Sequence, residues 1–249
     1  MALWVGQTMA SQLNKVAYIT GSSSGLGKAL AELLLDHDYF VIGIARTASI
    51  EHANYQHVFL DLANINQVVD FQFRVDGKEV LLINNAGIIG DILPIGQTTS
   101  TSLQEISNVN ILAPQILINS FLATFLSKST KGHIVNISSG AGKNPIDSWA
   151  AYCASKAALD LFSQTVALEF QLNGNHAWNI HSIAPGVVDT PMQAHIRNTS
   201  PEKFKSLNRF IELKQNGDLV SPENTAQKIF TLINHPEKFK NTVLSVRDF

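Results

Sequence analysis

Tyr152 and Lys156 stand four residues apart in the run Tyr152-Cys153-Ala154-Ser155-Lys156. On a helix that spacing puts both side chains on one face. A phenol holds its proton to about pH 10, and an ammonium a few Å away favours the phenolate and draws the pKa toward working pH. Such a pair is a general acid/base for a substrate oxygen. Ser139, on a separate stretch, supplies a hydroxyl that can aim at the same oxygen. The spacing alone is common on amphipathic helices, so the case depends on what the rest of the chain arranges around it.

The elements that must position these residues alternate. Residues 16–20 form a short apolar run that reads as a buried strand, and it passes directly into Gly21-Ser22-Ser23-Ser24-Gly25-Leu26-Gly27 and a helical pattern through Leu35. A strand, a glycine-rich turn and a helix form the first half of a dinucleotide-binding unit. The glycines let backbone approach a pyrophosphate, and the helix N-terminus offers free amides. An ordinary left-handed turn is the plainer alternative.

Residues 40–45 read as a second strand, ending at Arg46-Thr47. An acid near this strand end holds the ribose 2′-hydroxyl in NAD-binding units, whereas Arg46 suits a 2′-phosphate, which favours NADP(H) over NAD(H). Otherwise Arg46 is a solvated surface residue. Residues 57–60 give a third strand closed by Asp61-Leu62, with Asp61 placed to accept an adenine amino group, and a helix is expected from 64 to 74.

Residues 80–83 form a fourth strand before Asn84-Asn85-Ala86-Gly87, where small residues and amides would let the adenine side of a cofactor lie against the sheet edge. Residues 102–126 are helical in pattern, with an interruption expected at Pro114. Asn110 lies on that apolar stretch, so it either satisfies a helix defect or holds a water in a proton path.

Residues 132–137 make a fifth strand leading to Ser139, with His133 expected as a plain strand-start residue lacking a partner. The Tyr152 helix extends to about residue 172, a sixth strand covers 178–184 and ends at Pro185-Gly186, and 242–246 supplies a seventh. Residues 190–217 are helical, polar and long for a connection, so they read as an active-site lid or as a surface helix pair. Ser221-Pro222-Glu223 starts a further helix.

The result is an α/β fold with a doubly wound, seven-stranded, mainly parallel sheet and helices on both faces. The glycine turn, Arg46, Asp61, Asn85 to Gly87, Ser139 and Pro185-Gly186 all follow strand ends, where such sheets carry their ligand crevice. Pro145, Trp149, Val187 and Met192, with Ile146 and Phe204, suggest an apolar, aromatic-lined substrate pocket on the same edge.

Composition bounds the partners. With 249 residues, 45% apolar, 15% charged and a net charge of −2, the chain suits one large α/β domain, and no basic cluster invites nucleic acid or an anionic membrane. One cysteine, Cys153, excludes an internal disulfide and suits a reducing compartment. No spacing of His, Cys or Asp suggests a metal. Residues 1–13 read as a disordered extension, 14–249 as the domain, and no apolar run is long enough for a membrane span. A soluble cytoplasmic protein is expected.

Taken together the chain resembles the short-chain dehydrogenase/reductase family over nearly its whole length. The matching residues are Thr20 to Gly27, Asp61, Asn84 to Gly87, Asn110, Ser139, Tyr152, Lys156, and Pro185-Gly186 with Thr190. The resemblance implies a Rossmann fold and Tyr152 as general acid/base. It implies that Ser139 orients the carbonyl, and that Lys156 lowers the tyrosine pKa and holds the nicotinamide ribose. It also implies a water relay at Asn110, and contacts from Val188 and Thr190 to the nicotinamide carboxamide and phosphate.

The cofactor set is then Gly21, Ser23, Ser24, Gly25, Leu26, Gly27, Arg46, Thr47, Asp61, Leu62, Asn85, Ala86, Gly87, Tyr152, Lys156, Pro185, Gly186, Val188 and Thr190. The substrate set is Ser139, Pro145, Trp149, Tyr152, Val187 and Met192. The ending Leu244 to Phe249, with Ala45-Arg46-Thr47, looks more like the sepiapterin reductase and benzil reductase branch, with Asp248 as a candidate contact to a polar substrate group.

The expected activity is NADPH-dependent reduction of a ketone or vicinal dicarbonyl by a homodimer or homotetramer. The alternatives are an alcohol or hydroxysteroid dehydrogenase, a 3-oxoacyl-carrier-protein reductase, and a non-catalytic NADPH sensor.

Overall fold

A computed structural model describes residues 13–128 and 131–249. The expected extension therefore lies outside the described residues, apart from Leu13, which opens the first strand. The β-branched runs become seven strands: β1 (Leu13–Thr20), β2 (Phe40–Ala45), β3 (Tyr55–Phe59), β4 (Gly77–Asn84), β5 (Lys131–Ile137), β6 (Trp178–Ala184) and β7 (Val243–Ser245). They form one sheet in the order β3-β2-β1-β4-β5-β6-β7, and every pairing is parallel. The order reverses between β1 and β4, so their C-terminal ends diverge into a crevice at that point.

Alternation along the strands feeds two cores. Val16, Tyr18, Ile42, Leu82, Ile134 and Ile180 face one side. There they pack under α2 (Ile65–Asp70) and α4 (Ala113–Phe125), with an edge-to-face cluster of Tyr18, Phe73, Phe121 and Phe125. Ala17, Ile19, Val41, Leu81, Val135 and Ile183 face the other, against α1 (Gly25–Leu35) and α8 (Pro222–Asn234). Ser221 caps α8 as expected, its side chain accepting from the Asn224 amide with Pro222 in the first turn.

Three expectations need correction. The helix expected to residue 74 stops at Asp70 because Phe71 turns extended. The chain then carries Phe73 into the aromatic cluster and Val75 to Tyr18, whose hydroxyl donates to the Val75 carbonyl and accepts from its amide. Pro114 does not interrupt the long helix. It opens α4 inside a continuous helical run, and the turn just before it is π-helical, Asn108–Leu112, after α3 (Ser100–Ser107). His133 is not partnerless: its Nε2 lies 2.9 Å from His181 Nδ1, and burial together with that second imidazole drives its pKa down to about 3. The helical run Ser100–Phe125 meets the length and composition criterion for a membrane span, a criterion that a buried core helix also meets. Its Val109, Ala113, Leu117, Phe121 and Phe125 are buried against the sheet, as in a core helix.

Residues 190–217 are not one helical stretch. They form α6 (Pro191–Arg197) and α7 (Leu207–Gln215), joined by a non-helical segment in which Phe204 is fully buried. The root of this excursion is pinned by a bridge between Val188 and Val220, with Val220 N–H donating to the Val187 carbonyl at 3.0 Å and Asp189 N–H to the Val220 carbonyl at 2.9 Å.

Candidate active site

A cleft of about 1240 Å³ opens over the C-terminal ends of the strands. At the β1 end, Gly21 adopts a φ of +69°, a conformation that glycine reaches without strain, and its turn leads to α1 through Ser24. No side chain caps Ser24's helix, so the first amides of α1 remain available to an anion. Asn85 is used for bracing: its side-chain amide donates to the Thr20 and Gly21 carbonyls at 3.1 and 3.2 Å, while its backbone N–H donates to Thr20 Oγ1. A Cβ on Gly27 would fall onto the Gly21 carbonyl and the Asn85 amide, so Gly27 shapes the turn from behind and does not line the cleft.

The catalytic candidates converge at the middle. Ser139 follows β5 and accepts the Ala141 amide at 3.2 Å, opening a short 3-10 turn. The long helix α5 (Ala150–Leu172) presents Tyr152 and Lys156 on one buried face. Lys156 Nζ lies 5.7 Å from the Tyr152 ring centroid and donates to the Ile137 carbonyl at 2.8 Å. The ring of residue 152 therefore faces its lysine.

The expectation that the Lys156 ammonium draws the phenol's pKa down toward working pH is not met. Burial pushes Tyr152 up to about 12, against a downward pull from the Ser139 hydroxyl, and burial pushes Lys156 down to about 8, against an upward pull from Asp160. At neutral pH the resting pair is thus a neutral phenol beside an ammonium.

Asn110 lies behind the cleft. It occupies the π-helical turn. Its Oδ1 accepts the Ile88 amide at 2.9 Å, and its Nδ2 donates to the Ile88 carbonyl at 2.8 Å and to Ser155 Oγ at 3.1 Å. It therefore clamps the segment after β4 to the turn that carries Tyr152. Gly87 keeps a gap open beside it, since a Cβ there would meet Lys156 Nζ at 3.4 Å and Asn110 Oδ1 at 3.5 Å.

The remaining sequence candidates line the cleft. Ser23, Gly25, Leu26, Arg46, Thr47, Asp61, Leu62, Ala86 and Gly87 are on the β1–β4 side, and Pro145, Trp149, Pro185, Gly186, Val187, Val188, Thr190 and Met192 are on the other. Arg46 is exposed and has no ion pair among the described residues. Trp149 packs edge-to-face on Tyr152 at 5.7 Å and stacks on Phe204 at 5.5 Å, which joins the segment between α6 and α7 to α5.

A model of the short chain dehydrogenase family matches residues 15–201. The chain belongs to that family. Among relatives, it is 38% identical over 243 residues to the benzil reductase ((S)-benzoin forming) of Bacillus cereus, covering 92% of this chain and 97% of that one. It is 36% identical over 169 residues to the sepiapterin reductase of Bos taurus, covering 66% and 60% respectively. Among solved structures, a 4-hydroxyisoleucine dehydrogenase mutant complexed with NADH and succinate superposes with a TM-score of 0.76 at 26% identity, over 93% of this chain and 96% of that one. Family membership makes the protein an oxidoreductase acting between alcohol and carbonyl, of the look shared by benzil and sepiapterin reductases.

Sequence reasoning missed part of this family member's cleft. Asp248 does not reach it: its carboxylate accepts the Ser245 amide at 2.8 Å, and the neighbouring Arg247 lines the cleft instead. Arg209, Gln193 and Glu105 line it too. Their only sequence signal was position within a lid, a C-terminal tail and a helix, none of which says where a side chain ends up.

Proposed function

We propose that the protein reduces ketones or vicinal dicarbonyls with NADPH, using Tyr152 as general acid. The observation that carries this reading is the buried Tyr152 phenol at the cleft, protonated at rest, with the Ser139 hydroxyl and the Lys156 ammonium beside it. A reduction needs an acid, and a phenol at about 12 is one.

The cleft fits a dinucleotide. The uncapped start of α1 suits a pyrophosphate, and Arg46 and Thr47 at the cleft suit a 2′-phosphate. When bound, the cofactor supplies the hydride.

The chain's own groups do the rest. Ser139 hydrogen-bonds the carbonyl oxygen and fixes the substrate's face, and Tyr152 Oη gives its proton to that oxygen as negative charge develops there. The phenolate left behind is stabilised by Lys156, whose ammonium is held in place by the Ile137 carbonyl. The gap at Gly87, between Lys156 Nζ and Asn110 Oδ1, suits a water that returns a proton to the pair.

Replacing Tyr152 by Phe removes the acid and keeps the ring's packing on Trp149. Turnover of a dicarbonyl should fall by about 10²–10⁴-fold, while NADPH binding, followed by fluorescence titration, persists. Turnover close to that of the unaltered protein would overturn the assignment.

A further inference from the structure

Two charged side chains at the β6–β7 end of the cleft have no part in the mechanism above. Arg247, just after β7, and Arg209, on α7, both line the cleft, and neither has an ion pair among the described residues. Their neighbours differ in this respect: Asp189 takes Lys214 at 2.5 Å and lies 4.0 Å from Arg197. The acidic side chains that line the cleft, Asp61 and Glu105, belong to the opposite half. They sit after β3 and on α3, two segments joined where Asn108 Nδ2 donates to the Ala63 carbonyl at 3.0 Å. The far end is thus cationic, with apolar Val187, Met192, Ile196 and Phe210 between.

Arg247 is also fixed at its root. Val246 is buried, its N–H donating to the Ala184 carbonyl at 3.0 Å. Lys228 Nζ donates to the Val246 and Phe249 carbonyls, each at 2.7 Å. The Arg247 amide donates to Ser245 Oγ at 3.2 Å, the Asp248 amide to the Ser245 carbonyl at 2.9 Å, and the Asp248 carboxylate accepts the Ser245 amide. A turn clamped on both sides fixes the backbone from which the exposed Arg247 side chain reaches the cleft, so only that side chain has to order on binding.

We infer that Arg247, aided by Arg209, forms an anion subsite in the substrate pocket, and that the substrates this site favours are 2-oxo acids. The inference rests on the reductase reading and names its substrate class. A guanidinium takes a carboxylate through two parallel hydrogen bonds. In a 2-oxo acid the carboxylate is bonded to the reacting carbonyl carbon, so holding it orients the carbonyl toward Ser139 and Tyr152. The hydride from the reduced nicotinamide forms the new C–H bond, the Tyr152 proton goes to the oxygen, the carboxylate is unchanged, and the product is a 2-hydroxy acid. The second carbonyl of a vicinal diketone can occupy the same place as a neutral acceptor.

The test measures kcat/KM with NADPH for phenylglyoxylate, its methyl ester and benzil. In the unaltered protein the acid should be preferred to the ester. Arg247→Met should lower the acid-to-ester ratio about ten- to a hundredfold, mainly through KM. Arg247→Lys should restore part of the ratio, and Lys214→Met, which alters a cation already paired to Asp189, should not move it. Equal losses on acid and ester, no change in the ratio, or a matching rise in the KM for NADPH would overturn the subsite; the last would make the arginine a cofactor contact. If benzil and the ester are reduced but the acid is not, the subsite falls and the reductase reading stands. If none of the three consumes NADPH, the reductase reading itself falls, and the subsite with it.

Discussion

The two ends of the cleft are built by different means. At the β1–β4 end the wall is backbone: a left-handed glycine, free helix amides, and an asparagine whose side chain holds two carbonyls of the turn in place. At the β6–β7 end the wall is side chains carried on residues 190–217 and a C-terminal turn, held by polar latches, two of them joining residues 55 and 58 positions apart in sequence. The first construction tolerates few residue types, because a Cβ or a lost amide breaks it. The second tolerates many, since a latch can be moved or retyped while the pocket keeps its shape. One end is thus suited to an invariant ligand part and the other to a variable one.

The largest expected effect comes from attacking the backbone end. Gly27→Ala puts a methyl group onto the Gly21 carbonyl and the Asn85 amide, both of them fixed. Overpacking there should cost about 1–3 kcal/mol of stability, and the displaced turn should lose NADPH binding altogether in a fluorescence titration. Retained binding with an unchanged Tm would show that the rigid end is softer than its geometry implies.

The contrast also explains what was legible beforehand. Gly21, Gly27, Tyr152 and Lys156 could be read from the chain because their roles dictate their residue types and local spacing. The doubly wound, parallel character of the sheet followed from the alternation of strand and helix. Arg247 could not be read: its placement depends on Lys228 and Ala184, which lie 19 and 63 residues away, and on Asp248 turning back to cap the turn. The same holds for His133, whose partner His181 is 48 residues distant on the next strand. Pro114 misled because a helix can run through a proline that has a π-helical turn beside it, and the chain alone does not announce that turn.

A smaller effect is expected where the backbone end meets solvent. Arg46→Ala removes a cation from the β2 strand end without touching the turn. Steady-state kcat/KM for NADPH should drop about ten- to a hundredfold, with the value for NADH nearly unchanged. Equal losses for both cofactors would remove the 2′-phosphate role and leave Arg46 a general electrostatic contributor.

The smallest effect tests the side-chain end. Asp147 accepts the Lys205 amide at 2.8 Å and the Ser206 hydroxyl, and Ser148 Oγ donates to the Lys203 carbonyl at 2.6 Å. Together they latch the segment between α6 and α7 to the loop before Tyr152. Burial raises the Asp147 pKa, but the bonds from Ser206 and Lys205 outweigh it and hold the carboxyl below the usual aspartate range. With the folded pKa depressed, the latch is fully present above the ordinary aspartate value of about 3.9 and weakens only as pH falls through the lower folded value. Asp147 is exposed, so Asp147→Ala should cost stability less than about 1 kcal/mol. The fully buried Phe204, stacked on Trp149, still seats the segment in the variant. With the segment less firmly latched, KM for the carbonyl substrate should rise about three- to tenfold while NADPH affinity is unaffected. A rise confined to NADPH would mean that the lid serves the cofactor, and the division of the cleft into a fixed end and an adaptable one would then be drawn in the wrong place.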